Sequence, residues 1–89
     1  MAIAITFTTD LTLAQYVEIW KQLRDQKADH PDGRLSHLGF ERDGVMHVVD
    51  VWDSMESFEA FGATLMPIIA EVGGNVTPDI VEAHHFQTG

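Results

Sequence analysis

The side chains best placed to do chemistry are His37 and Asp50. They lie on two strand-like runs, Leu35–Arg42 and Val45–Trp52, separated only by Asp43-Gly44. That dipeptide readily takes the positive φ angles of a type I′ turn, the commonest two-residue hairpin loop. With Arg42 and Val45 flanking the turn, the register sets Phe40 against His47, Leu38 against Val49, His37 against Asp50 and Leu35 against Trp52. His37 and Asp50 then share one face, with Trp52 next along it. A carboxylate accepting from one imidazole nitrogen fixes the tautomer and leaves the other nitrogen free as a base or donor near neutral pH. The competing reading is an inert polar pair across two strands. A bulge near Gly39 would shift the register by one residue and separate the two side chains.

Other residues are weaker candidates. Trp52 could wall a site by stacking on an aromatic substrate, although a strand-end tryptophan packing on the next helix accounts for it as well. His84 and His85 are adjacent on what reads as the last strand, so they point to opposite faces, and one of them could join His37 or His47 across the sheet; both are candidates for binding a substrate. The pair cannot easily share one ion, and zinc requires three or four convergent ligands, so no metal is expected. His47 shares its face with Leu38, Phe40 and Val49, which suggests burial. No glycine-rich loop opens a helix, so nucleotide cofactors have no cradle and no cofactor is expected.

The elements that must position these residues follow from periodicity. Ala2–Thr8 alternates Ile3, Ile5 and Phe7 with Ala4, Thr6 and Thr8, a strand pattern. Thr12-Leu13-Ala14-Gln15 matches a capping box, and Leu13, Tyr16, Val17, Trp20 and Leu23 form a helical stripe, predicting a helix from about Leu13 to Ala28. His30-Pro31-Asp32-Gly33 ends it. After the hairpin, Asp53-Ser54-Met55-Glu56 predicts a second helix with Asp53 as cap. Its stripe is Met55, Phe58, Phe61, Leu65, Ile68, Ile69 and Val72. Pro67 predicts a kink or break, and Gly73-Gly74-Asn75 closes the helix. Pro78–Gln87 predicts the last strand. The order βαββαβ with right-handed crossovers gives a ferredoxin-like α+β unit: a four-stranded antiparallel sheet with both helices on one face.

The 89 residues make a single domain, 1–89, with no repeat or linker. A chain of this size buries only about 60–65% of the surface its unfolded state exposes, yet 45% of its residues are hydrophobic. Both faces of the hairpin carry apolar residues, so a second copy packing sheet to sheet is the expected cover, making a homodimer. Fourteen acidic against five basic side chains give a net charge of −9. That field repels phosphate backbones, so nucleic acid is not an expected partner. There are no cysteines, no signal-peptide pattern and no stretch of the ~20 apolar residues a membrane span needs. A cytoplasmic protein with no membrane partner is expected.

The run Val48-Val49-Asp50-Val51-Trp52-Asp53-Ser54-Met55-Glu56-Ser57-Phe58-Glu59-Ala60-Phe61 resembles a pattern of the dimeric α/β-barrel superfamily, in which a strand ending in Trp is followed by an acidic residue and Ser opening a helix. Leu65-Met66-Pro67, the Asp43-Gly44 turn and Val81-Glu82-Ala83-His84-His85 are similar to that family too. Within the superfamily the chain looks like the small proteins related to antibiotic-biosynthesis monooxygenases. The resemblance implies a dimeric α/β barrel. It also implies either a cofactor-independent monooxygenase, or an isomerase of similar architecture, acting on a small aromatic or polyketide-like molecule. The alternative is a non-catalytic dimeric module that binds a small ligand or is associated with stress. A cavity reaching His37 and Asp50 favours the enzyme; a sheet–helix interface filled by Trp20, Trp52, Phe58 and Phe61 favours the module.

Overall fold

The computed structural model describes residues 1–89. Six elements follow one another: β1 (Ile3–Thr9), α1 (Leu13–Asp25), β2 (Arg34–Arg42), β3 (Val45–Trp52), α2 (Met55–Val72) and β4 (Val76–Glu82). The strands form one antiparallel sheet in the order β2-β3-β1-β4. The ferredoxin-like α+β order expected from the periodicities is therefore the order found. Alternate strand residues Ile5, Phe7, Met46, Val48 and Trp52 are buried in one cluster with Ile19 and Leu23 of α1 and Phe61, Ile68 and Ile69 of α2. Both helices thus cover the same face of the sheet, and the core lies between the two layers.

The hairpin has the register that its turn dictates. Asp43 and Gly44 both have positive φ, 55° and 82°, as a type I′ turn requires, and His37 pairs with Asp50, Leu38 with Val49 and Phe40 with His47. Gly39 introduces no bulge; it pairs with Val48. The irregularity lies further from the turn, between Arg34 and Ser36, so that Arg34 rather than Leu35 stands opposite Trp52. Leu35 is the extra residue and lies 45% exposed, which corrects its expected place beside Trp52.

The helix ends differ from the sequence expectation for local reasons. The capping box at Thr12 and Gln15 is present. Helix α1 stops at Asp25, three residues short of Ala28, because Lys27 turns left-handed at φ 57°. The Ala28 N–H then donates to the Leu23 carbonyl and the Lys27 N–H to that of Arg24, the two bonds of a Schellman cap. At the start of α2 the cap is Ser54, not Asp53, and its hydroxyl accepts from the Ser57 N–H at 3.2 Å. Pro67 does not break α2, which runs unbroken to Val72. Both Pro67 and Ala63, whose carbonyl the missing N–H leaves free, are exposed to water. Strand β4 begins earlier and ends earlier than Pro78–Gln87, because its partner β1 starts at Ile3, which pairs with Glu82. Beyond that point only the Ala83 N–H still reaches the Ala2 carbonyl.

Candidate functional site

The site is built on three adjoining segments. Strand β2 supplies His37, strand β3 supplies Asp50 and helix α1 lays Tyr16 across them. His37 Nδ1 is 2.6 Å from Asp50 Oδ1, and His37 Nε2 is 2.7 Å from the Tyr16 hydroxyl. A carboxylate only accepts, so Nδ1 carries a proton and donates to Asp50. With the imidazole neutral, Nε2 is the acceptor and the Tyr16 O–H donates to it. The other Asp50 oxygen accepts from the Trp52 indole N–H at 3.1 Å. Asp50 is the one charged residue buried in the core, and both of its oxygens have partners, as a buried carboxylate needs. Burial keeps the Tyr16 pKa above its ordinary value of 10.0, and the charge of Asp50 acts in the same direction. Tyr16 therefore holds its proton tightly.

Close approach of helix to sheet depends on a missing side chain. Gly39 lies two residues beyond His37 on the same face of β2, and a Cβ placed there would overlap the Tyr16 hydroxyl. Tyr16 and the His37 ring are nearly parallel, 7° apart, and Trp20, one turn further along α1, stands edge-on to His37 at 5.0 Å.

A cavity opens beside this chain of hydrogen bonds, between the sheet and the helices. Tyr16, His37 and Asp50 form part of its wall, with Trp20, Arg34, Phe61, Leu65 and other mostly apolar residues around them. It encloses about 60 Å³ of space for the centres of water molecules, or about 490 Å³ when the open space outside its mouth is included. At ~10–15 Å³ per water on the first measure, the enclosed part has room for a few water molecules.

His37 and Asp50 are thus brought together at a cavity. Trp52 is not in its wall: it is fully buried, packs on Phe58 and Phe61 at 5.6 and 5.4 Å between ring centres, and orients Asp50. His84 and His85 follow the end of β4, are exposed, and lie outside the cavity lining. No three His, Asp or Glu side chains converge as a metal site would need. Tyr16 and Arg34 are the wall residues that the sequence reading passed over. Gly39, spaced to face the core beside His37, was the available signal for Tyr16. Arg34 reaches the wall only through the bulge.

The fold is one that other solved structures share. No family model matches the chain, and no curated protein is similar to it in sequence. Solved structures are similar to it over almost its whole length. A protein from Caulobacter crescentus CB15, provisionally assigned as an antibiotic biosynthesis monooxygenase, superposes with a TM-score of 0.68 at 19% identity, covering 94% of this chain and 91% of its own. A provisionally assigned monooxygenase from Shewanella loihica PV-4 gives 0.66 at 17% identity, covering 96% of each chain. SnoaB, a cofactor-independent oxygenase from Streptomyces nogalater, gives 0.62 at 17% identity, covering 96% of this chain and 93% of its own. The fold is therefore the one shared by antibiotic-biosynthesis-monooxygenase-like proteins, as the Val48-to-Phe61 resemblance implied.

Proposed function

We propose that the chain is a cofactor-independent monooxygenase acting on a small aromatic or polyketide-like phenol. The observation that carries this reading is the hydrogen-bonded series Tyr16–His37–Asp50 opening on an apolar cavity. A substrate hydroxyl donating to the Tyr16 oxygen passes its proton there as the Tyr16 proton moves to His37 Nε2, and Asp50 holds the imidazolium that forms. Burial disfavours a free Tyr16 phenolate, so the reading couples the two transfers rather than passing through one. The electron-rich phenolate then reduces dioxygen. Where the ring carbon para to the hydroxyl carries hydrogen (C–H in the phenol, CH₂ in its keto tautomer), that carbon takes one oxygen atom as the new carbonyl and the other oxygen leaves as water, so the substrate supplies every electron. Likeness to SnoaB, itself a cofactor-independent oxygenase, agrees with this reading.

The test is oxygen uptake by the purified protein with small phenols and quinol precursors. The expected result is turnover that falls about 10²–10⁴-fold in His37→Ala, the range typical of a lost general base, with the fold intact. Asp50→Asn weakens turnover by mis-setting the tautomer. Full activity in His37→Ala overturns the relay. The second reading, a non-catalytic ligand-binding module, is supported by the small enclosed volume and the Trp52–Phe58–Phe61 packing. It predicts ligand binding with no oxygen uptake.

In either case we propose a homodimer closed through the sheet face opposite the helices. Leu38 and Val81 on that face are 58% and 56% exposed, with Phe40 and Val49 beside them. Covering such a patch is worth about 25 cal/mol per Å² of apolar area.

A further inference from the structure

Arg34 is the one permanent cation in the cavity wall, in a chain that has only five lysines and arginines. Its guanidinium lies over two aromatic rings, 5.3 Å from the centre of Trp20 and 5.9 Å from that of Phe61. It makes a single hydrogen bond within the chain, from Nη2 to the Asp29 carbonyl at 2.8 Å. The two ion pairs of the chain, His30–Asp29 and His37–Asp50, leave it without a carboxylate. Burial pulls its pKa below the usual 12.5, and the negative charge of Asp50 opposes that pull. An arginine nevertheless keeps its proton at any ordinary pH. Holding an unpaired guanidinium against an apolar wall costs free energy, which the two aromatic faces offset in part. The N–H groups still free have the planar fork geometry that grips a carboxylate by two parallel bonds.

Trp20 joins this cation to the relay, since its ring contacts the guanidinium while standing edge-on to His37. An elongated one-ring ligand could therefore meet both at once. We propose that the cavity takes a small hydroxylated aromatic acid, with its carboxylate on Arg34, its hydroxyl at Tyr16 and its ring against Trp20 and Phe61. This inference rests on the cavity being the ligand site proposed above, and narrows its ligand to an anion. The chain's net charge of −9 repels every anion at long range, so selectivity for the acid comes from the contact with Arg34 itself.

The test compares para-hydroxybenzoate with para-hydroxybenzamide by calorimetric titration. The two share shape and phenol and differ in charge. The unaltered protein is expected to bind the acid about tenfold more tightly or better, a difference of about 1.4 kcal/mol. Arg34→Gln erases the preference and Arg34→Lys retains part of it. Arg34 also ties down the chain at Asp29, so if Arg34→Gln fails to fold, the pair of ligands on the unaltered protein carries the test alone. Equal affinity for the two, or binding of neither, overturns the proposal. Oxygen uptake, measured separately with phenols that carry hydrogen para to the hydroxyl, separates it from the functional reading. Acid preference without uptake leaves the anion site standing and sinks the oxygenase; uptake with neutral phenols and no acid preference does the reverse.

Discussion

The two faces of the sheet are made by alternate residues of the same four strands, yet they are finished differently. On the face under the helices, Ile5, Phe7, Met46, Val48 and Trp52 are buried, and the polar side chains among them, His37 and Asp50, are hydrogen-bonded; no buried side-chain nitrogen or oxygen in the chain lacks a partner. On the opposite face Leu38, Phe40, Val49 and Val81 have no element of the chain above them, beside polar Thr6, Thr77 and Asp79. The covered face admits polarity because it can complete it; a buried group left unpaired would cost about 1–3 kcal/mol. The open face carries apolar surface that nothing in the chain completes. A second molecule is the simplest completion, which is the physical ground for the proposed dimer.

The sharpest contrast between the faces comes from Trp52→Ala. Emptying that fully buried site is expected to cost about 3–5 kcal/mol, read as a fall in the urea midpoint, and to loosen Asp50 as well. A cost near zero would mean that the covered face is not the core. Gly39→Ala comes next. The new methyl displaces the Tyr16 hydroxyl, at an overpacking cost of about 1–3 kcal/mol, and calorimetry should show lowered stability while the Tyr16–His37 bond is lost. Leu38→Lys, on the open face, is expected to leave each folded chain within about 0.5 kcal/mol of its stability while separating the dimer, seen as halved mass in sedimentation. A well-folded monomer of the unaltered protein at micromolar concentration would remove the open face's claim to a partner. The smallest effect is alkaline. Tyr16 is the only tyrosine, and its pKa is raised on folding. Its contribution to stability is complete below pH 10.0, the ordinary value, and is lost as pH rises from there through the higher folded value. Ultraviolet titration should show its ionisation delayed in the folded protein, and Tyr16→Phe should remove that part of the alkaline loss.

Element order and the hairpin register were legible in the sequence because each rests on local chemistry. The Asp43-Gly44 turn and the alternation beside it leave one register that buries Met46, Val48 and Trp52, and His37 meets Asp50 as a result. Helix ends were less legible, since Lys27 accepts a left-handed backbone and Ser54 caps where Asp53 could have. The end of β4 depends on where β1 begins, a long-range fact. Half of the site was hidden for the same reason. Tyr16 belongs to an amphipathic stripe that any core helix shows, and its bond to His37 exists only because α1 crosses β2 at Gly39. Arg34 could not be placed without knowing where the strand miscounts.

That miscount at Leu35 makes pocket polarity a matter of chain length. With regular pairing, Leu35 would point inward and Arg34 outward, and the cavity would lose its one fixed positive charge without a single substitution. Removing Leu35 altogether would straighten the strand and keep the arginine inside. A change of length in the first residues of β2 that put Leu35 opposite Trp52 would therefore remove the cation in one step and leave Tyr16, His37 and Asp50 in an otherwise apolar wall.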